Sequence, residues 1–146
     1  MAGVIVLDAG ALIALLNDRD AHHEWALQMF IDTVAEDLAI SALNLAEALV
    51  HPTKAGRYQE FMESFHGLGL EVQGLDHADV APVAAIRAES GLRMPDSIAL
   101  HVALKSDSAL ATTDRTLGKA ALAASLRVIQ PTPLPSGAAK GVVEER

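Results

Sequence analysis

The sequence predicts an α/β domain, with a mostly parallel sheet of about four or five strands flanked by helices on both faces. Three observations carry that expectation. Short aliphatic runs, such as VIVL at 4–7 and ALAT at 109–112, alternate with longer segments of helical periodicity. Gly, Pro, Ser and Asp fall between these segments, where turns and caps need them. The chain is 51% apolar but only 3% aromatic, so its core is built from Ala, Leu and Val, which suits close packing of helix on sheet.

Val4 to Leu7 form the first strand, and Asp8 follows at its carboxyl end. Gly10 to Leu16 is the first helix. Asp20 is placed to cap a second, which carries Trp25, Met29 and Phe30, then Thr33 and Val34, at helical spacing. The large apolar residues here belong to the core or to an interface. Leu38 to Ile40 is a short strand, and Ser41 is the expected N-cap of a helix through Val50. Pro52 is expected to interrupt it. A further helix runs from about Gly56 to Phe65, ended by Gly67 and Gly69. Leu70 to Gln73 is the next strand. Asp76 then caps a helix to Ser90, and Gly91 stops it. Pro95 suits the first turn of a helix from Met94 to Lys105. Ala109 to Thr112 is a strand followed by another acid, Asp114, and a helix; Leu126 to Ile129 is the last strand. One domain is expected over 1–130, with 131–146, rich in Pro, Gly and Ala, as a tail with little structure of its own.

Several function classes fall away on composition. With no cysteine among 146 residues, neither disulfides nor thiolate metal sites exist. The longest apolar stretch, Ala2 to Leu16, is broken by Asp8 and is shorter than the roughly 20 residues a membrane span needs. The N-terminus lacks the basic start and unbroken apolar middle of a signal peptide, so a cytoplasmic protein is expected. The net charge of −8 argues against a simple nucleic-acid binder. An acidic protein can still act on a polyanion when part of its charge sits in a metal site, because the bound cation reverses the local field.

Four acids interrupt apolar or small-residue surroundings: Asp8 in VIVLDAGALIALL, Glu47 in SALNLAEALV, Asp96 in GLRMPDSIALHVAL and Asp114 in ALATTDRTLGKAA. A carboxylate near a core is costly unless paired or bound to a cation, and no single basic residue is placed to serve all four. Clustered carboxylates repel and raise one another's pKa values. A hard divalent cation removes that conflict. An all-carboxylate site suits Mg²⁺ or Mn²⁺ and argues against zinc. The chemistry such a site supports is hydrolysis of a phosphodiester by water, with no Ser, Cys or His nucleophile required.

The four segments, in this order and spacing, resemble a PIN domain, and more narrowly the VapC-type toxins of bacterial toxin–antitoxin pairs. The resemblance covers roughly residues 4–129. It implies a three-layer PIN-like fold and an Mg²⁺- or Mn²⁺-dependent endoribonuclease, with tRNA or ribosomal RNA as substrate. It further implies a homodimer, and a VapB-type antitoxin that inserts a segment near the active site. Carried over by position, Asp8, Glu47, Asp96 and Asp114 are the expected metal-binding and catalytic acids. One position departs from the pattern. Many relatives carry Ser or Thr two residues after the first Asp, and here that residue is Gly10. Thr112, two before Asp114, matches a family preference and is expected to supply part of the missing support.

Each acid also has a plainer role to weigh. Asp8 and Asp114 can act as N-caps, Asp96 can complement a helix dipole, and Glu47 can face solvent. Asn44, one turn before Glu47, is a supporting candidate. Arg93 and Arg115 flank two acids and are candidates for RNA phosphate contacts, with Lys119 a weaker one. The six histidines are left out of the site. His22 and His23 fall in a turn, and His101 is five residues after Asp96, which on a helix points it elsewhere. Two other functions compete with a toxin: a PIN-type nuclease of RNA processing, and a catalytically silent PIN-fold binding module.

Overall fold

A computed structural model describes residues 3–132. The order is β1 (Val4–Leu7), α1 (Ala9–Leu16), α2 (His23–Asp32), β2 (Asp37–Ser41), α3 (Ala42–Lys54), α4 (Tyr58–Leu68), β3 (Glu71–Gln73), a 3₁₀ turn (His77–Asp79), α5 (Val80–Ser90), α6 (Met94–Lys105), β4 (Ala109–Ala111), α7 (Arg115–Ala123) and β5 (Val128–Ile129). The five strands form one all-parallel sheet in the order β3-β2-β1-β4-β5. This is the expected α/β architecture. The tail expected over 131–146 lies, from residue 133 on, outside the described residues.

Strand periodicity sorts the core into two halves. Ile5, Leu7, Leu38, Ile40, Ala109 and Ala111 face α1, α2, α3 and α4. Val6, Ala39 and Leu110 face α5, α6 and α7. Three layers result, with both sheet faces covered, as parallel sheets require. α6 is buried without a break from Asp96 to Ala103, so it is apolar nearly all round, and this drags its first-turn acid inward. No helix among the described residues is long and apolar enough to cross a membrane.

Three local expectations are corrected. Pro52 does not end its helix, which runs on to Lys54. Proline sits there in the last turn, where only one intrahelical bond is lost, and α3 is held against α1 and α4 by packing. Asp20 does not cap α2. Its carboxylate accepts the His22 N–H at 2.8 Å within the preceding turn, and Thr33 and Val34 fall beyond the helix end. Asp76 caps the 3₁₀ turn rather than α5, in a reciprocal box with Asp79.

Candidate active site

The strand order reverses between β1 and β4. Ligands of open parallel sheets bind outside the carboxyl ends of the strands at such a reversal. Asp8 directly follows β1 and Thr112 directly follows β4, so both stand at that point. Asp8 is the N-cap of α1, its Oδ1 accepting the Ala11 N–H at 2.8 Å. Its Oδ2 accepts from the Thr112 hydroxyl. The same hydroxyl oxygen accepts the Asp114 N–H at 2.9 Å, so one buried side chain joins the first acid to the backbone of the last. Asp114 in turn caps α7, with Oδ1 accepting the Thr116 and Leu117 N–H groups at 2.8 and 3.1 Å.

Asp96 enters from the other side of the sheet, in the first turn of α6. Arg93 donates to its Oδ2 from Nε at 3.2 Å. Asn44 fixes the relation of α3 to α6. It is fully buried, its amide donates to the Pro95 carbonyl at 3.2 Å, and its Oδ1 accepts from Ser41 at 2.7 Å. Asn44 therefore spends its polar atoms on the scaffold and tethers the helix carrying Glu47 to the helix carrying Asp96. Glu47 itself is half-buried, one turn further along α3.

The electrostatics show which acids share a field. Burial pushes the Asp8 carboxyl up to about 6, and the charges of Asp96 and Asp114 add to the rise. The Thr112 and Ala11 hydrogen bonds oppose it. Asp96 is also raised, by burial first and then by Asp114, against the pull of Arg93. Arg93 is raised by Asp96 above all, and Glu47 and Asp114 contribute. Asp8, Asp96 and Asp114 thus share one field at the carboxyl end of the sheet, and Glu47 is tied to it only through the exposed Arg93 guanidinium, which feels Asp96, Glu47 and Asp114. Arg115 and Lys119 are exposed on α7, the helix that Asp114 caps. Among the described residues, no group of three or more His, Cys, Asp or Glu side chains is close enough to hold a metal on its own donors. Mg²⁺ is typically held by one or two carboxylates plus waters and substrate phosphates, and the buried, mutually repelling Asp8 and Asp96 fit that donor set.

His101 points away from the acids. Its Nε2 lies 2.6 Å from Asp79 Oδ1, and Lys105 Nζ donates to the same oxygen at 3.0 Å. The His101 contact, then the Asp76 N–H and Lys105, hold the Asp79 carboxyl well below the usual range. Sequence reasoning did not find this buried pair. A separation of 22 residues leaves no local pattern to read.

The sequence matches the PIN domain family over residues 5–122. The chain belongs to the PIN domain family. PIN nucleases generally use a divalent metal. Among curated proteins, no sequence match is found. Several solved structures share the fold. A toxin–antitoxin complex from Klebsiella pneumoniae aligns with TM-score 0.64 at 23% identity, over 75% of this chain and 86% of that one. VapBC2 from Rickettsia felis, bound to a promoter DNA fragment, gives 0.67 at 15%, over 88% and 99%. VapC20 from Mycobacterium tuberculosis, a sarcin–ricin loop cleaving toxin, gives 0.66 at 15%, over 80% and 94%.

Proposed function

We propose that this PIN domain is a divalent-metal-dependent endoribonuclease and the toxin of a type II toxin–antitoxin pair. The observation that carries the nuclease reading is Asp8. The fold buries a carboxylate beside Asp96 and Asp114, with no buried cation to match among the described residues, an arrangement that is costly unless a cation completes it. Asp8 and Asp96 would hold Mg²⁺ or Mn²⁺, with Glu47 and Asp114 deepening the negative field. When bound, the metal supplies an activated water and charge neutralisation at the scissile phosphate. Thr112 keeps Asp8 oriented by donating to Oδ2, and Asn44 keeps Glu47 in register with Asp96. Arg93 and Arg115 offer cationic contacts to the RNA backbone on either side of the acids.

The toxin role, the RNA substrate (tRNA or ribosomal RNA), a VapB-type antitoxin and a homodimer are supported by likeness to VapC20 and to the VapBC complexes. Incubation with total RNA and Mg²⁺ or Mn²⁺ should give cleavage that EDTA and Asp8→Asn both abolish. Cleavage that persists in EDTA overturns the metal mechanism. Induction of the active enzyme should arrest growth. Unimpaired growth would remove the toxin role and leave the nuclease one.

A further inference from the structure

Gly10 lies inside α1, and its backbone is not left-handed. Conformational freedom is therefore not what selects glycine here. Space is. A Cβ at position 10 would come within 2.8 Å of the Thr113 hydroxyl oxygen and 3.6 Å of Asp8 Oδ1. Real Cβ atoms do not approach an oxygen that closely, so the Thr113 hydroxyl occupies the room that a side chain at position 10 would take. That room borders the Asp8 carboxylate.

Thr113 is half-buried between a hydroxyl bonded on both sides and a carboxylate whose Oδ1 serves as a helix cap. Thr112 donates to Asp8 and accepts from Asp114, and Asp114 caps α7. The Thr113 hydroxyl has no hydrogen-bond partner among the described residues. It is a free donor and acceptor there, in the bend that links β4 to α7 beside the Asp8 carboxylate. β4 ends two residues before it and α7 begins two residues after it.

We propose that Thr113 is a positioning residue of the site. Its hydroxyl reaches over the helical face that Gly10 leaves bare and hydrogen-bonds a water in the hydration shell of the cation at Asp8. Gly10 and Thr113 act as one unit, in which the missing side chain on α1 admits the hydroxyl from the β4–α7 turn. The proposal rests on the metal-site reading above. Groups that orient a metal's ligands and waters from the outer shell typically change affinity by about 10–100-fold when removed.

The test is Mn²⁺ binding by calorimetry, with thermal midpoints in EDTA measured on every variant. Thr113→Val keeps the shape and removes the hydroxyl. It should weaken Mn²⁺ binding by about tenfold or more while leaving the EDTA midpoint unchanged. Thr113→Ser should bind like wild type. Gly10→Ser alone should lower the midpoint through the clash with Thr113. Combined with Thr113→Ala, which clears the space, it should recover both the midpoint and much of the affinity, a coupling that independent sites do not show. Wild-type affinity in Thr113→Val, or equal weakness in Thr113→Val and Thr113→Ser, overturns the inference. If Asp8→Asn still abolishes binding in that case, the metal-site reading survives it. A wild-type protein that binds no Mn²⁺ overturns both.

Discussion

Replacing Asp8 by Asn should make the metal-free protein more stable, and the gain should depend on pH in a defined sense. The folded protein holds the Asp8 carboxyl at about 6, against an ordinary value of 3.8. Because the folded value is the higher one, the protonated acid is the form the fold favours. Its contribution is fully present below about pH 4 and is lost as pH climbs through about 6. At pH 7.5 the ionised, buried Asp8 therefore costs about 3 kcal/mol, at about 1.4 kcal/mol for each tenfold change. Asparagine is uncharged, nearly isosteric, and keeps an oxygen for the Ala11 N–H. Its amide faces the Thr112 hydroxyl, which must turn to accept, so the net gain should be about 1–3 kcal/mol. Urea unfolding in EDTA at pH 7.5 and at pH 4 measures it, with the slopes compared to exclude a change in the unfolded state. The variant should be the more stable protein at pH 7.5, and its advantage should shrink toward pH 4. Excess Mg²⁺ should narrow or reverse the order, since only wild type gains by binding. A destabilised Asn variant at pH 7.5, or a difference that ignores pH, would refute the account of Asp8 as a destabilised acid awaiting a cation.

Thr112→Val strips the donor from Asp8 and the acceptor from the Asp114 N–H. It should lose about 1–3 kcal/mol by denaturation and shift the Asp8 titration further upward by NMR. Asn44→Leu removes the bond to the Pro95 carbonyl that ties α3 to α6 and the acceptor of the buried Ser41 hydroxyl proton. About 1–3 kcal/mol of stability should go with it, and kcat on RNA should fall more than KM rises, because Glu47 loses its register with Asp96. Leu110→Ala empties the centre of the sheet, where the side chain is wholly buried, and should cost about 2–5 kcal/mol with the bound-metal stoichiometry unchanged. Gly91 ends α5 at a φ of +73°, so Gly91→Ala should destabilise by about 1 kcal/mol without altering RNA cleavage.

The placing of Asp8 and Asp114 next to strand ends is legible because its signals are local. An aliphatic run that stops at an acid marks a strand's carboxyl end, and two such places, at Asp8 and Asp114, are enough to place a crevice in a parallel sheet. Glu47 and Asp96 were legible as charges in apolar helices, and burial of α6 accounts for Asp96. Thr112 stands out as a hydroxyl two residues before Asp114, but its bond to Asp8 spans 104 positions and needs the β1–β4 pairing to exist. Asn44 lies one turn from Glu47 along the sequence, and the fold gives it another task, the tie to Pro95. Helix limits failed where tertiary packing outweighed propensity, as at Pro52, or where a short polar side chain had two backbone groups to choose between, as at Asp20. The Gly10–Thr113 contact was invisible, since it is a relation between an absent side chain and a turn across the sheet.

The bond from Thr112 to Asp8 also orders events in time. Residues from the first strand and from the fourth must meet before the acids share a field, and strand pairings this distant in sequence close slowly. A chain still being made therefore carries Asp8 and Asp114 apart. The proposed centre comes into being only once the sheet has been assembled through β4.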